Sequence, residues 1–308
     1  MRILVTGADG FVGRHLLQLL VAQGETVVGL TGRAHELAGV EASFAVDLAD
    51  KTALDKIDLG QTDAVVHLAG LAAVGPSFAD PMRYITTNAA IEATLFEYFV
   101  TRGQTPRFII ISTGGLYDPA SSLPITESAS TIPSSPYAVS KLTQESLAKY
   151  YGLRGFEVII ARPFNHVGPG QGEGFLFPDL AKQITQLEKT AGHEIVVGNL
   201  EAKRDYTDVR DITRAYYALI QKGMPGRIYN ICSGQSRSGN EILEAMMAVA
   251  TLEKPHIKQQ ADRMRPSDTP EIYGDHTLIT KDTGWMPEIT FEQSIQDVLA
   301  DWRSRTND

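Results

Sequence analysis

Met1-Arg2-Ile3-Leu4-Val5-Thr6-Gly7-Ala8-Asp9-Gly10-Phe11-Val12-Gly13-Arg14-His15-Leu16-Leu17 is the stretch that decides how the chain is read. Residues 3–6 form an apolar run that reads as a buried strand. Gly7, Gly10 and Gly13 read as a tight turn, and Leu16, Leu17, Leu19 and Leu20 as the packed face of a helix. A strand that feeds a helix through glycines leaves backbone N–H groups pointing out of the helix start, where the helix dipole favours a phosphate. Gly7 permits the turn, Gly10 lets a pyrophosphate approach the backbone, and Gly13 lets the helix lie close to the sheet, with Phe11 and Val12 between them. A glycine triplet alone also suits an ordinary turn. The strand before it and the amphipathic helix after it are what point to a dinucleotide.

The chain has 308 residues, enough for one large domain or two smaller ones, and 43% are hydrophobic, enough to bury a substantial core. Acids outnumber bases 37 to 28, for a formal charge of −9, which argues against nucleic acid or an anionic membrane as the main partner. An anionic ligand must then be held by a few local Arg and Lys side chains. The single cysteine, Cys232, excludes an internal disulfide and a multi-cysteine zinc site. No metal site is expected, and the setting reads as reducing and cytoplasmic. Cys232 follows Tyr229-Asn230-Ile231 and reads as a small core residue. The sequence gives no expectation of a signal peptide or of a membrane-spanning segment.

Residues 25–30 read as the next parallel strand. A carboxylate at its end would bind the ribose hydroxyls of NAD. Thr31-Gly32-Arg33 stands there instead, with no charge to repel a 2′-phosphate and with Arg33 able to pair with one, so the reading leans to NADP with NAD still possible. By this reading Thr31→Asp moves the preference toward NAD. Residues 42–46 form a short strand ending at Asp47-Leu48. Asp47 is expected either to accept from an adenine amino group or to cap the helix that starts at Lys51. Residues 63–68 form a fourth strand containing His67, read as a core histidine. There Leu68, Ala69 and Gly70 let backbone approach a cofactor. Residues 81–102 read as a long helix apolar on more than one stripe, so that it buries two faces.

Residues 107–111 form the fifth strand, followed by Ser112-Thr113-Gly114-Gly115-Leu116-Tyr117. Hydroxyls at the carboxyl end of a central strand are placed for chemistry. After a Pro-, Ser- and Thr-rich loop, Tyr137-Ala138-Val139-Ser140-Lys141 opens a helix, with Tyr137 and Lys141 on one face. The ammonium is expected to depress the phenol pKa and make Tyr137 a proton donor and acceptor near neutrality. Tyr-x-x-x-Lys also occurs as a plain helix-surface pair.

The glycine turn, the hydroxyl at Thr113 and Tyr137-x-x-x-Lys141 occur in this order, and together the chain resembles the extended short-chain dehydrogenases/reductases, in their nucleotide-sugar epimerase/dehydratase branch. The resemblance spans essentially the whole length. It implies an α/β fold, a Rossmann-like doubly wound parallel sheet with a smaller C-terminal α/β substrate-binding lobe. The expected division is 1–162 plus about 206–234 for the dinucleotide and 163–205 plus about 235–308 for the nucleotide sugar. It implies catalytic roles for Thr113, Tyr137 and Lys141, with Lys141 also holding the nicotinamide ribose. Arg162-Pro163-Phe164-Asn165-His166-Val167-Gly168-Pro169-Gly170-Gln171 is similar to the GDP-4-keto-6-deoxy-mannose reductase group. The likeness implies that Asn165 touches the sugar nucleotide, while His166 either lines the pocket or belongs to the turn. Lys182, on the helix at 175–187, joins the substrate set. Arg204 matches the arginine that clamps a pyrophosphate, and Arg265 and Asp268 match a segment meeting the phosphates and the ribose or base. Asp208 or Asp211 is expected to cap the helix that runs to Lys222, with Arg210 structural. The family's habit of pairing subunits implies a homodimer through the helices at 81–102 and 137–151.

Three chemistries share such a scaffold. The family's 4,6-dehydratases carry an extra acid two residues beyond the Thr113 position, and here that residue is Gly115, which cannot move a proton. The leading expectation is NADPH-dependent reduction of the 4-keto group of a GDP-4-keto-6-deoxyhexose. The alternative is an NDP-sugar 4-epimerase that retains NAD. A redox-sensing binding protein without turnover is a third reading, and it leaves the Tyr137–Lys141 spacing unexplained.

Overall fold

The computed structural model describes residues 1–34, 36–190, 193–252, 255–260 and 269–305. In chain order the strands and helices are β1 (Arg2–Thr6), α1 (Phe11–Ala22), β2 (Thr26–Thr31), β3 (Ala42–Ala45), α2 (Lys51–Asp55), β4 (Ala64–His67), α3 (Val74–Ser77), α4 (Pro81–Thr101), β5 (Arg107–Ile111), α5 (Pro136–Leu153) and β6 (Val158–Pro163). They continue with β7 (Asn165–Val167), α6 (Leu176–Thr190), β8 (Glu194–Val197), β9 (Lys203–Asp208), α7 (Val209–Lys222), β10 (Ile228–Ile231), β11 (Ser236–Ser238), α8 (Gly239–Val249), β12 (His256–Gln259), β13 (Glu271–Ile272), α9 (Thr277–Thr283) and α10 (Phe291–Arg305).

Seven strands form one parallel sheet in the order β10-β6-β5-β4-β1-β2-β3. Apolar runs such as Ile3-Leu4-Val5 and Phe108-Ile109-Ile110 suit it, because a parallel sheet is covered on both faces. Successive side chains alternate between those faces. Ile3, Val5 and Ile109 join Leu16, Ile212 and Tyr216 of α1 and α7 in one core cluster. Leu4, Phe108 and Ile110 join Leu95, Phe96 and Tyr151 of α4 and α5 in the other. Each such fully buried side chain contributes on the order of 1.5–3 kcal/mol. Strand order switches direction between β1 and β4, β2 and β3 lying to one side and β5 and β6 to the other, so the crevice above their carboxyl ends is where ligands of such sheets collect.

Beyond β6 the chain builds a third cluster from Phe177, Leu180, Ile184, Ile242, Met246, Ile295 and Trp302. Two small sheets accompany it, one of β11, β9 and β13 with β7 on β9, the other of β12 and β8. α7 and β10 return to the large sheet, and Ile279 and Trp285 pack with them in the first cluster. Gly284, in the left-handed region at φ 82°, ends α9 and lets the Trp285 indole donate to the Asp211 carbonyl. Cys232 is buried, and burial pushes its thiol up.

Helix starts obey local chemistry. Ser135 caps α5 through the Ala138 N–H with Pro136 in its first turn, which fixes Tyr137 at the helix mouth. Asp80 caps α4 and Asp208 caps α7, while Asp211 instead binds Arg214 and the Glu288 and Ile289 N–H groups. Arg210 is held between Asp208 and Asp297. Asp47 does not cap α2. Asp50 does, accepting from Thr52 and Ala53, while Asp47 is exposed and accepts from the Ala49 N–H.

Candidate active site

The loops that follow β1, β2, β3, β4, β5 and β6 open along one edge of the large sheet. Gly7 has φ +65°, and a Cβ there would sit 2.9 Å from the Ala69 nitrogen. At Gly13 a Cβ would sit 2.3 Å from the Gly7 carbonyl oxygen. The glycines therefore let the β1 turn, the β4 loop and α1 meet at backbone distance. Gly10 offers no side chain to cap α1, so the first N–H groups of that helix, at Phe11, Val12 and Gly13, are available to an anion. Ala69 N–H donates to Thr6 Oγ1 at 3.0 Å, and Thr6 Oγ1 bonds His67 Nδ1 at 2.8 Å, so His67 is a core residue tying β1 to β4. Leu68 and Ala69 are half-buried and Gly70 is exposed.

On the β2 side the structure alters one expectation. Thr31 is 2% exposed and its hydroxyl donates to the Arg33 carbonyl at 2.7 Å. An aspartate there would lose that donor and face carbonyl oxygens, so it does not present a clean carboxylate to a ribose. Gly32 and Arg33 are exposed, and a Cβ on Gly32 meets nothing within 4 Å. Leu48 is buried beyond the exposed Asp47.

Thr113, Tyr137 and Lys141 converge at the end of β5. Lys141 is 6% exposed and its Nζ donates to the Ile111 carbonyl at 2.8 Å. Thr113 Oγ1 accepts from the Gly115 N–H at 3.1 Å. Burial pushes the Tyr137 phenol up to about 12, opposed by a hydrogen bond with the Thr113 side chain. The expected depression by Lys141 is absent. The ammonium sits 5.9 Å from the Tyr137 ring centroid, tied to Ile111, and burial outweighs its field. Lys141 itself is pulled down to about 8 by burial, against the opposing pull of Glu92 and Glu145.

Several polar residues that hold this constellation escape the sequence reading. Asn88 of α4 accepts from the Leu71 N–H and donates to the Leu71 carbonyl and to Ser140 Oγ, pinning the β4 loop to α5. Glu145 accepts from Arg162 Nε and Nη2, each at 2.7 Å, and from Ser112 Oγ at 2.6 Å. Their signal is a polar residue interrupting an apolar helical stripe, as Asn88 and Glu92 do beside Ile91 and Leu95.

The expected substrate residues lie on the other lobe. Asn165 is exposed at the start of β7, and half-buried His166 stacks on Phe11 with centroids 6.0 Å apart, at the seam with α1. Lys182 pairs with Glu173 at 2.7 Å. Arg204 Nη1 donates to the Lys203 and Thr269 carbonyls. Arg265 and Asp268 lie outside the described residues.

The sequence profile described as GDP-mannose 4,6 dehydratase matches residues 4–298. The chain belongs to that family. Members similar to it include the GDP-6-deoxy-D-mannose reductase of Pseudomonas aeruginosa, 37% identical over 100% of this chain and 99% of that protein. The GDP-6-deoxy-D-talose 4-dehydrogenase of Aggregatibacter actinomycetemcomitans is 30% identical over 89% of this chain and 88% of its own. Among solved structures, RMD from Pseudomonas aeruginosa complexed with NADPH superposes with a TM-score of 0.89 at 36% identity, covering 99% of each chain. The GDP-mannose 4,6 dehydratase family thus covers this chain from β1 into α10.

Proposed function

We propose that this chain reduces the 4-keto group of a GDP-linked 4-keto-6-deoxyhexose to a hydroxyl, with NADPH as hydride source. The observation that carries the reading is the meeting of Thr113, Tyr137 and Lys141 at the carboxyl end of β5, with no carboxylate at Gly115 to drive elimination of water. The GDP-6-deoxy-D-mannose reductase and the NADPH complex among its relatives support the substrate class and the cofactor.

The crevice suits a dinucleotide on its own terms, because α1 is uncapped and the glycine turn leaves backbone where a Cβ would intrude. Gly7, Gly10, Phe11, Val12 and Gly13 would hold the pyrophosphate, and Arg33 a 2′-phosphate beside Thr31. Asp47 and Leu48 would meet the adenine, and Leu68, Ala69, Gly70 and Lys141 the nicotinamide ribose. Bound there, the cofactor supplies one hydride to the ketone carbon. Tyr137 donates its phenolic proton to the ketone oxygen, so hydride and proton together complete the alcohol. The Thr113 hydroxyl steadies the developing alkoxide by hydrogen bonding, and the Lys141 ammonium adds positive field at the site. Asn165, Lys182 and Arg204, with Arg265 and Asp268, would bind the sugar nucleotide. In this reading 1–162 plus about 206–234 serves the dinucleotide and 163–205 plus about 235–308 the sugar nucleotide.

A homodimer through α4 and α5 fits the exposed Phe78 and Met82 near the start of α4 and the exposed Tyr150 and Leu153 at the end of α5. A reducing, cytoplasmic setting fits the single buried thiol. Among the described residues no helix is long and apolar enough to cross a membrane.

The test is one assay of purified protein with NADPH and a panel of 4-keto-6-deoxy nucleotide sugars. The reading expects one NADPH oxidised per GDP-linked ketone consumed. Co-purified NAD with interconversion of C4 epimers and no net NADPH use overturns it in favour of an epimerase.

A further inference from the structure

Glu92 lies on the buried face of α4 and is 0% exposed. No hydrogen bond of good geometry forms at either of its carboxyl oxygens or at either amide atom of Gln144, the 0% exposed α5 residue that faces it and whose amide favours the ionised carboxyl. A buried carboxyl group without a hydrogen bond is costly, and few are tolerated without a role.

One turn earlier on α4, Asn88 bonds Ser140, the residue before Lys141, so Glu92 faces the α5 stretch that holds Lys141, Gln144 and Glu145. Beyond them, Lys141 acts on His67 of β4, and Arg162 of β6 pairs with Glu145. Glu145 and Arg162 neutralise each other through two hydrogen bonds. His67 is held neutral by burial, which pushes it down to about 3. Lys141 is then a buried cation whose ammonium has an uncharged carbonyl, Ile111, as its hydrogen-bond acceptor. Of the two carboxylates that act on it, Glu92 has the larger effect, and Glu145 is already spent on Arg162.

We propose that Glu92 is a positioning residue for the reductase, acting through Lys141 as the buried countercharge that keeps its amine an ammonium. The proposal rests on the reading of Lys141 as part of the active site. Burial raises the Glu92 carboxyl above its ordinary range and lowers the Lys141 amine, so the two titrate as a pair. Ionised, the carboxyl favours the proton on Lys141; protonated, it leaves the amine without that support. Gln144 leaves room for both states, since an amide can face a carboxylic acid or a carboxylate.

The test uses cofactor-free protein labelled with 13Cε-lysine, the Lys141 signal being assigned by its loss in Lys141→Met. In Glu92→Gln the Lys141 midpoint is expected to fall by about one pH unit or more, with Glu92→Asp in between. The alkaline limb of kcat/KM moves the same way. An unchanged Lys141 midpoint in folded Glu92→Gln overturns the proposal. If Glu92→Gln does not fold, the reciprocal measurement decides. The Glu92 13Cδ midpoint in wild type must rise in Lys141→Met, and a midpoint indifferent to that change overturns the pairing. Failure of the reductase reading looks different: no NADPH oxidation by wild type with any 4-keto sugar, and the titrations unaffected.

Discussion

Lys141 reaches from α5 to the last residue of β5, its Nζ donating to the Ile111 carbonyl at 2.8 Å, two residues before Thr113. The contact fixes the ammonium between the helix that carries Tyr137 and the end of the strand that leads to Thr113. Burial brings its pKa down to about 8, below the ordinary lysine value. An amine with a lowered pKa is charged below that value and neutral above it. The kcat/KM for a 4-keto sugar should therefore hold up to about pH 8 and decline beyond it. Lys141→Met should remove that limb and lower kcat/KM on the order of 10²-fold. A pH profile of both proteins checks this, and a wild-type limb near the ordinary lysine range would count against an active-site role for the amine.

Tyr137 is the proposed proton donor, and its phenol is pushed up to about 12. It should remain protonated through the neutral range in cofactor-free protein, ready to donate. Tyr137→Phe keeps the ring and removes the hydroxyl that donates the proton, so kcat should drop about 10²–10⁴-fold. NADPH affinity should change little. Single-turnover kinetics alongside a fluorescence titration of NADPH separate the two effects; wild-type turnover in the variant would remove the role.

Cofactor choice is best probed at Gly32. That residue is exposed and a Cβ there meets nothing within 4 Å, whereas Thr31 is buried and uses its hydroxyl on Arg33. Gly32→Asp should set a carboxylate against a 2′-phosphate and shift the NADPH/NADH ratio of kcat/KM toward NADH by about tenfold. Arg33→Ala should raise KM for NADPH and leave KM for NADH nearly as it was. An unchanged ratio in both variants would place the 2′-phosphate elsewhere.

The parts of the molecule that could be read from residues alone are those with a local cause. A strand covered on both faces is an apolar run, which is why 107–111 reads correctly to the residue, and Gly7 must turn where no Cβ fits. The cap of α2 needed one more distinction, between Asp47 and Asp50, which only backbone geometry makes. What stayed hidden depends on third elements. The Tyr137 phenol is governed by burial rather than by Lys141, and burial is not announced by a spacing of four along one helix. Arg204 meets the carbonyl of Thr269, which spacing does not announce. Asn88, Glu92, Gln144 and Glu145 look like surface residues of amphipathic helices until α4 and α5 are laid together and their polar atoms prove to be inside.

Arg162 and Glu145 give the last prediction. Their side chains are 4% and 0% exposed, and the guanidinium also stacks over Tyr117, 4.7 Å from the ring centroid. Removing two ions from water costs more than their attraction returns, so the pair as a whole adds little net stability. Breaking it is another matter, because the survivor is an unpaired buried charge. Arg162→Met should destabilise the fold by about 3–5 kcal/mol, seen as an earlier urea midpoint. Adding Glu145→Leu to that variant removes the stranded carboxylate and should recover most of the loss, leaving Ser112 with a single unmet hydroxyl. Additive losses in the double variant would mean that the two side chains act separately, despite the 2.7 Å hydrogen bonds between them.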